Sequence, residues 1–289
     1  MISVIIPTYN RASYIVRAMD SVTRQTRPPD ELIIVDDGST DATSQHVAEA
    51  TRRASFPVRI LRQENKGPAA ARNLGIKHAR GDILCFLDSD DWWAKKKIAL
   101  QLDQMIANPE ILISHTKEIW FRGGVRVNQK KKHYPAGGYI FSACLKMCVV
   151  GMSTVMARRE LFERYGFFDP ELPCCEDYDL WLRVARERPF LLVNNPLTLK
   201  EGGRVDQLSR IHRMGMDRYR IQSLQNLLAG GLLSAEQYEK TLAELQRKCA
   251  IYGRGCVKHG REDEGEYYLS LPGRFVSESG HGLKKRSKK

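Results

Sequence analysis

Residues 84–91, LCFLDSDD, form an apolar run that ends in three carboxylates within four positions: Asp88, Asp90 and Asp91, with Ser89 between them. Acids clustered at a strand end repel one another and cost several kcal/mol to dehydrate, so such a group points to a cation or a positively charged ligand. Hard oxygen donors suit Mg2+ or Mn2+, which keep waters and bridge to phosphates, so a phosphate-bearing substrate is the reading these residues favour. The alternatives are a polar turn and an EF-hand calcium loop. The second fails on spacing: with Asp88 as position 1, position 6 is Trp93 rather than Gly and position 12 is Ala99 rather than Glu.

The elements that must position these acids are legible upstream. Four short runs rich in Val, Ile and Leu occupy 3–6, 32–35, 58–61 and 83–87. Each is too short for a helix and is bounded by turn residues, as expected of strands buried on both faces of a parallel sheet. Between them, Ile15, Ala18, Met19 and Val22 make a helical stripe, Ser39 to Asp41 can cap a helix running toward Ala54, and Pro68 suits the first turn of a helix through 69–79. This strand and helix alternation is the order of an α/β domain. In such sheets ligands bind outside the carboxyl ends of the strands. The first end carries Pro7, Thr8, Tyr9, Asn10 and Arg11, the second Asp36, Asp37 and Gly38, and the last the acid cluster, so the three are expected to converge on one ligand, with plain turns as the alternative. Neither G-x-G-x-x-G after the first strand nor a P-loop is present. A nucleotide would therefore be held by side chains and metal rather than by a glycine-rich cradle.

The formal charge is +12, but the last six residues contribute five of those charges, which leaves +7. The other basic residues form no aromatic-interleaved array, so nucleic acid is not expected as a partner. The basic tail reads as solvated, or as a contact for anionic lipid at the inner face of a membrane. No apolar stretch has the length of a membrane span and no leader precedes the first strand, from which a cytoplasmic chain is expected. Seven cysteines, an odd number without paired zinc spacing, are expected as reduced thiols.

The chain resembles a family 2 glycosyltransferase of the GT-A fold. The resemblance rests on VIIPTYNR at 4–11, ELIIVDDGSTD at 31–41, the run at 65–91 that ends in the acid cluster, and CEDYDLWLR at 175–183. It implies the GT-A (nucleotide-diphospho-sugar transferase) fold, a central mainly parallel sheet flanked by helices, and an inverting, metal-dependent transfer from a nucleotide sugar, most often a UDP-sugar. By the same resemblance Tyr9 and Asp37 hold the nucleoside base, which suits an aromatic face and a carboxylate that accepts a base N–H. Asp90 is implied as the ligand of Mn2+ or Mg2+, with Asp91 its rival, and Asp88 as partner of the ribose or of a metal-bound water. Pro7, Thr8, Arg11 and Ser89 complete the implied donor site. Lys66, Arg72 and Arg204 could face the diphosphate or form surface ion pairs. Glu176 and Asp177 precede the amphipathic run Leu180, Trp181, Val184 and Ala185, so they sit at a helix start, where ionised carboxylates are favoured. N-capping would explain them equally. With the family match, Asp177 is expected as the base for the acceptor hydroxyl and Glu176 as its substitute.

The expected organisation is a GT-A catalytic domain at 1–210, divided into a nucleotide-binding half at 1–110 and an acceptor half at 111–210. A helical C-terminal extension at 211–276 and a disordered basic tail at 277–289 follow. Within the acceptor half a surface loop or hairpin is expected in 111–151 and a strand at 152–156. The segment 166–172 resembles the family's approach to the acid pair, and Gln207, Leu208 and Ser209 read as a polar loop or a lid. The expected acceptor is a glycan or a lipid-linked sugar of cell-surface polysaccharide or glycolipid synthesis, and the oligomeric state is unread. Two rivals stand beside this reading. One is a sugar-phosphate nucleotidyltransferase, which would show a glycine-rich loop where PTYNR stands; the other is a non-catalytic nucleotide-sugar-binding module.

Overall fold

A computed structural model describes residues 1–276; the basic tail expected at 277–289 lies outside the described residues. The chain opens with β1 (Ile2–Thr8), α1 (Ile15–Thr23), β2 (Glu31–Asp36), α2 (Thr43–Thr51), β3 (Val58–Arg62), α3 (Gly67–His78) and β4 (Ile83–Phe86). Strands β3, β2, β1 and β4 lie side by side in parallel, and every residue of β1, β2 and β4 is buried. Side chains alternate across the sheet. Ile5, Ile33, Val35, Leu84 and Phe86 therefore enter one core, while Val4, Ile6, Leu32, Ile34 and Cys85 enter the other. Helix α3 lies close on the first face because residue 75 is glycine: a Cβ there would come within 2.5 Å of Ile5 Cγ2.

Past β4 the sheet changes character. It continues through β8 (Met156–Arg158), β6 (Ile113–Arg122) and β9 (Leu191–Gly202) to the short β5 (Trp92–Trp93), and β7 (Val125–Val127) closes a hairpin on β6. Strand β8 is antiparallel to β4 and β6, whereas β6 and β9 run parallel through a bulge at Lys117. Most paired positions in the sheet belong to parallel ladders. Helix α4 (Lys97–Ala107) covers one face, and α5 (Phe141–Lys146), α6 (Arg159–Tyr165) and α7 (Glu176–Ala185) lie toward the other. The strand expected at 152–156 is corrected: Met152–Thr154 is a 3-10 turn, and the strand begins at Met156. The Thr154 hydroxyl donates to the Gly151 carbonyl at 2.6 Å, which tightens that turn.

After β9 come a short helix α8 (Leu208–Ile211) and three longer ones, α9 (Met216–Ala229), α10 (Ala235–Lys258) and α11 (Glu262–Ser270). Helix α10 starts with a capping box between Ser234 and Gln237. Ile221, Leu224, Leu245 and Leu271 belong to the same core as Ile5 and Trp181, so these helices complete the interior around α7. Among the described residues no helix is long and apolar enough to cross a membrane.

Candidate active site

The loops after β1 and β2 are sewn together by the polar residues of PTYNR and DDGST. Asn10, at φ +50°, donates its backbone N–H to Ser39 Oγ at 3.0 Å and accepts from the Thr40 N–H at 2.8 Å. Arg11 donates its backbone N–H to Thr43 Oγ1 at 2.7 Å. Asp36 serves the turn itself, accepting from the Ser39 N–H at 2.9 Å and the Ser44 hydroxyl at 2.6 Å. Asp37 reaches the start of α3: Oδ1 accepts from the Lys66 N–H and Gln63 Nε2 at 2.9 and 2.6 Å, and Oδ2 from the Gly67 N–H at 2.8 Å. Each carboxylate oxygen has two lone pairs, so one on Oδ2 remains for a ligand. Pro7 and Thr8 are buried at the end of β1 while Tyr9 is 42% exposed beyond them. Thr8 Oγ1 is buried and has no hydrogen-bond partner among the described residues. Lys66 contributes its backbone; its side chain is exposed.

At the end of β4 each acid of the cluster meets a base. Asp88 Oδ1 accepts from Arg72 at 2.8 Å, Asp90 is ion-paired with Arg204, and Asp91 lies 3.8 Å from Lys200 Nζ. Ser153 ties the cluster to the turn at 152–154, accepting from the Asp88 N–H at 3.0 Å and donating to Asp91 Oδ2 at 2.6 Å. Ser89 is buried between them. Burial opposes ionisation of Asp88, but Arg72 and Lys200 beside it prevail and hold its carboxyl below the usual range. Burial lifts Asp91 well above that range despite Lys200, with Asp90 and Asp88 adding to the rise.

Arg72 links this strand end to α7. It is 5% exposed, and its second terminal nitrogen is ion-paired with Glu176, the first residue of α7. The alternative of a surface ion pair is therefore corrected for Arg72: the pair is buried, because α7 packs over the strand ends. Burial raises Glu176 to about 7 against the pull of Arg72 and with the push of Asp177. Asp177 follows in the same first turn, where Oδ1 accepts from the Tyr178 N–H at 2.7 Å and Oδ2 from the Cys148 thiol at 3.1 Å. Burial, with the Asp177 charge beside it, pushes the Cys148 thiol well up, so it stays protonated and acts as a donor. Asp88, just past β4, and Glu176, at the start of α7, thereby share one guanidinium.

Arg204, after β9, joins a second network. Its Nε donates to Asp206 Oδ1 at 3.0 Å, Asp206 Oδ2 lies 2.8 Å from Arg11 Nη1, and the Arg204 guanidinium stacks 4.4 Å from the centroid of the Tyr14 ring. For Arg204 too, the surface ion pair expected as one alternative is instead a half-buried contact with the acid cluster. Ser153, Lys200 and Cys148 carry no signal in the sequence, because each meets its acid across a long stretch of chain.

Hard carboxylate oxygens are the donor chemistry that Mg2+ or Mn2+ takes. The residues fit such an ion in kind: Asp90 uses one oxygen for Arg204 and keeps the other, and Asp88 uses one for Arg72. Among the described residues no three His, Cys, Asp or Glu side chains already converge on one point.

A parallel β3-β2-β1-β4 sheet with acids at its carboxyl edge and an acid pair in the first turn of a helix agrees with the GT-A fold of glycosyltransferases. The chain belongs to glycosyl transferase family 2, whose model matches residues 3–166. It is 38% identical over 192 residues to an uncharacterised glycosyltransferase of Rickettsia felis, covering 64% of this chain and 30% of that protein. The chain thus spans less than a third of the length of that relative. It is 32% identical over 196 residues to the Escherichia coli UDP-Glc:alpha-D-GlcNAc-diphosphoundecaprenol beta-1,3-glucosyltransferase WfgD, covering 67% of this chain and 73% of that one. Among solved structures it resembles S. aureus TarS in complex with UDP-GlcNAc, at TM-score 0.72 and 20% identity over 95% of this chain and 80% of that one. The mannosyltransferase PcManGT of Pyrobaculum calidifontis, in complex with GDP-Man and Mn2+, follows at TM-score 0.62 and 17% identity over 99% and 88%. Both support the GT-A fold.

Proposed function

We propose that the chain is an inverting glycosyltransferase that moves a sugar from a nucleotide-diphosphate donor, a UDP-sugar, to a hydroxyl of a glycan or lipid-linked acceptor in cell-surface polysaccharide or glycolipid synthesis. The observation that carries this reading is Arg72, which holds Asp88 at the strand ends and Glu176 beside Asp177 at the start of α7. Donor-side and acceptor-side acids then share one cleft edge, as a single displacement requires. Tyr9 offers a ring for the base, Asp37 its remaining lone pair, and Thr8 its unpartnered hydroxyl. Asp90, with Asp88 or Asp91, would hold Mn2+ or Mg2+, which when bound stabilises charge on the departing diphosphate.

Asp177 takes the proton of the acceptor hydroxyl as the hydroxyl oxygen attacks the anomeric carbon. Its neighbours suit that work. The Cys148 thiol fixes Oδ2, and Glu176 is committed to Arg72 and acts as a positioning residue. Arg204, ion-paired with Asp90, would be one cation available to an arriving diphosphate. The E. coli relative named for a UDP-Glc donor and a diphosphoundecaprenol acceptor supports the donor and acceptor classes. The test is a panel of nucleotide sugars with Mn2+ and candidate acceptors, read as nucleotide release. UDP should raise the unfolding temperature only with the metal present. Release with no nucleotide sugar tested, and no protection by any nucleoside diphosphate, overturns the reading.

A further inference from the structure

The segment that follows β9 exposes what a soluble surface ordinarily hides. Val205 is 74% exposed, Leu208 40%, Ile211 59% and Met214 85%, and no residue of α8 is buried. Four apolar side chains at three-residue intervals, each at least 40% exposed, are concentrated within ten positions of one surface segment. Between them lie Arg210, His212 and Arg213, of which both arginines are exposed, the neutral Gln207 and Ser209, and one acid, Asp206, which is engaged by Arg11 and Arg204. Beyond them Asp217 is engaged by Lys248 and Arg220.

A second loop joins the same edge. Arg122 of β6 pairs with Gly202 at the end of β9, and its side chain lies against Gly203, where a Cβ would come within 2.9 Å of its Cγ. The hairpin turn beyond it carries Val125, 67% exposed, between exposed Arg122 and Arg126. Two adjacent loops therefore show the same composition: apolar tips set among arginines. Arginine stems lie along an apolar surface while their guanidinium groups reach for anions at its rim. That is the chemistry of a bilayer interface with anionic headgroups, where apolar tips enter the acyl boundary and the bases meet phosphate.

We propose that the segment 203–214, with the β6–β7 turn, is a docking surface for an anionic lipid bilayer. Arg204 opens this segment and reaches Asp90, so docking sets the cluster of acids beside the membrane face. The use of that position, delivery of a lipid-linked acceptor, rests on the transferase reading; the docking does not.

The test uses the full chain with vesicles of phosphatidylglycerol and phosphatidylcholine, or of phosphatidylcholine alone, and reads co-sedimentation. The chain should bind the anionic vesicles. The double variant Ile211→Glu with Met214→Glu should bind them at least about tenfold more weakly, with its unfolding temperature unchanged because both side chains are exposed. Arg122→Gln with Arg126→Gln should lose about fivefold or more. Replacement of Lys284, Lys285, Arg286, Lys288 and Lys289 by Gln tests the basic tail. Binding that vanishes in that variant while the Ile211 and Met214 variant binds like the wild type overturns the proposal. So does an Ile211 and Met214 variant whose one change, by light scattering, is conversion of a dimer to a monomer, which would assign the patch to a second copy of the chain. UDP protection in the presence of Mn2+ is measured on the same samples: its absence from the wild type counts against the transferase reading and leaves the vesicle result intact.

Discussion

Arg72 does at one position what a single lysine could not, because its planar fork reaches Asp88 and Glu176 at once. Glu176→Ala would leave that buried charge with one acid instead of two, and should lower stability by about 3–5 kcal/mol, read as a fall in the urea midpoint. Asp177 carries a different burden. Asp177→Asn should reduce turnover by about a hundredfold or more while UDP affinity, measured by calorimetry, stays within about twofold. Cys148→Ala removes the donor to Oδ2 and should lower kcat, whereas Cys148→Ser keeps a donor and should restore most of it; equal losses in both variants would mean the thiol only packs. At this scale legibility followed sequence distance. The acids at 88–91 and at 176–177 stand out because like charges are adjacent, but Cys148 lies 29 positions from Asp177 and Ser153 62 from Asp91, and a lone Cys or Ser announces nothing.

Helix α4 crosses the sheet with its first residue inside. Lys97 is fully buried, donates to the Val155 carbonyl at 3.2 Å and lies 3.9 Å from the Trp93 ring centroid. Burial lowers its amine from 10.5 to about 8, with a small opposing effect of Cys85. Below pH 8 both folded and unfolded chains carry this proton and the cost of burying it is fully present. As pH rises from about 8 to 10.5 the folded chain sheds it first, so the wild type should gain about 3 kcal/mol relative to Lys97→Met, measured by denaturation across that window. Strands β1, β2 and β4 were readable because burial on both faces makes them continuously apolar; β3, expected to be buried likewise, lies at the sheet edge and is half-exposed, with Arg59 and Arg62 in its run. Strands β6 and β9 were not. The inner half of β6 buries Ser114, His115 and Thr116, and β9 runs through Asn194, Asn195 and Pro196 beside its bulge, so neither shows a strand's period. At 152–156 the apolar pattern read as strand, but hydrogen bonding to Gly151 turns the chain and swings Ser153 onto Asp91.

The chain as a whole is held together from the far end. Helix α9 packs on α7, α10 spans α5, α9 and α11, and Gln237 donates to the Arg186 carbonyl at 2.8 Å just beyond α7. A boundary near residue 210, expected from the change in composition, would cut through this shared interior. Leu245→Ala should cost about 2–5 kcal/mol, and urea unfolding followed by tryptophan fluorescence and by circular dichroism should give coincident single transitions; two separated transitions would mark an independent extension. The contact between Arg204 and Asp90 has a reach of its own. Arg204, ion-paired with Asp90, stands four positions before Leu208, so under the proposed readings a diphosphate that draws Arg204 away would also free the start of the proposed docking segment. Linkage is reciprocal: whatever factor UDP imposes on vesicle affinity, vesicles must impose on UDP affinity. Under the proposed readings, membrane docking and donor binding would be coupled through this one arginine.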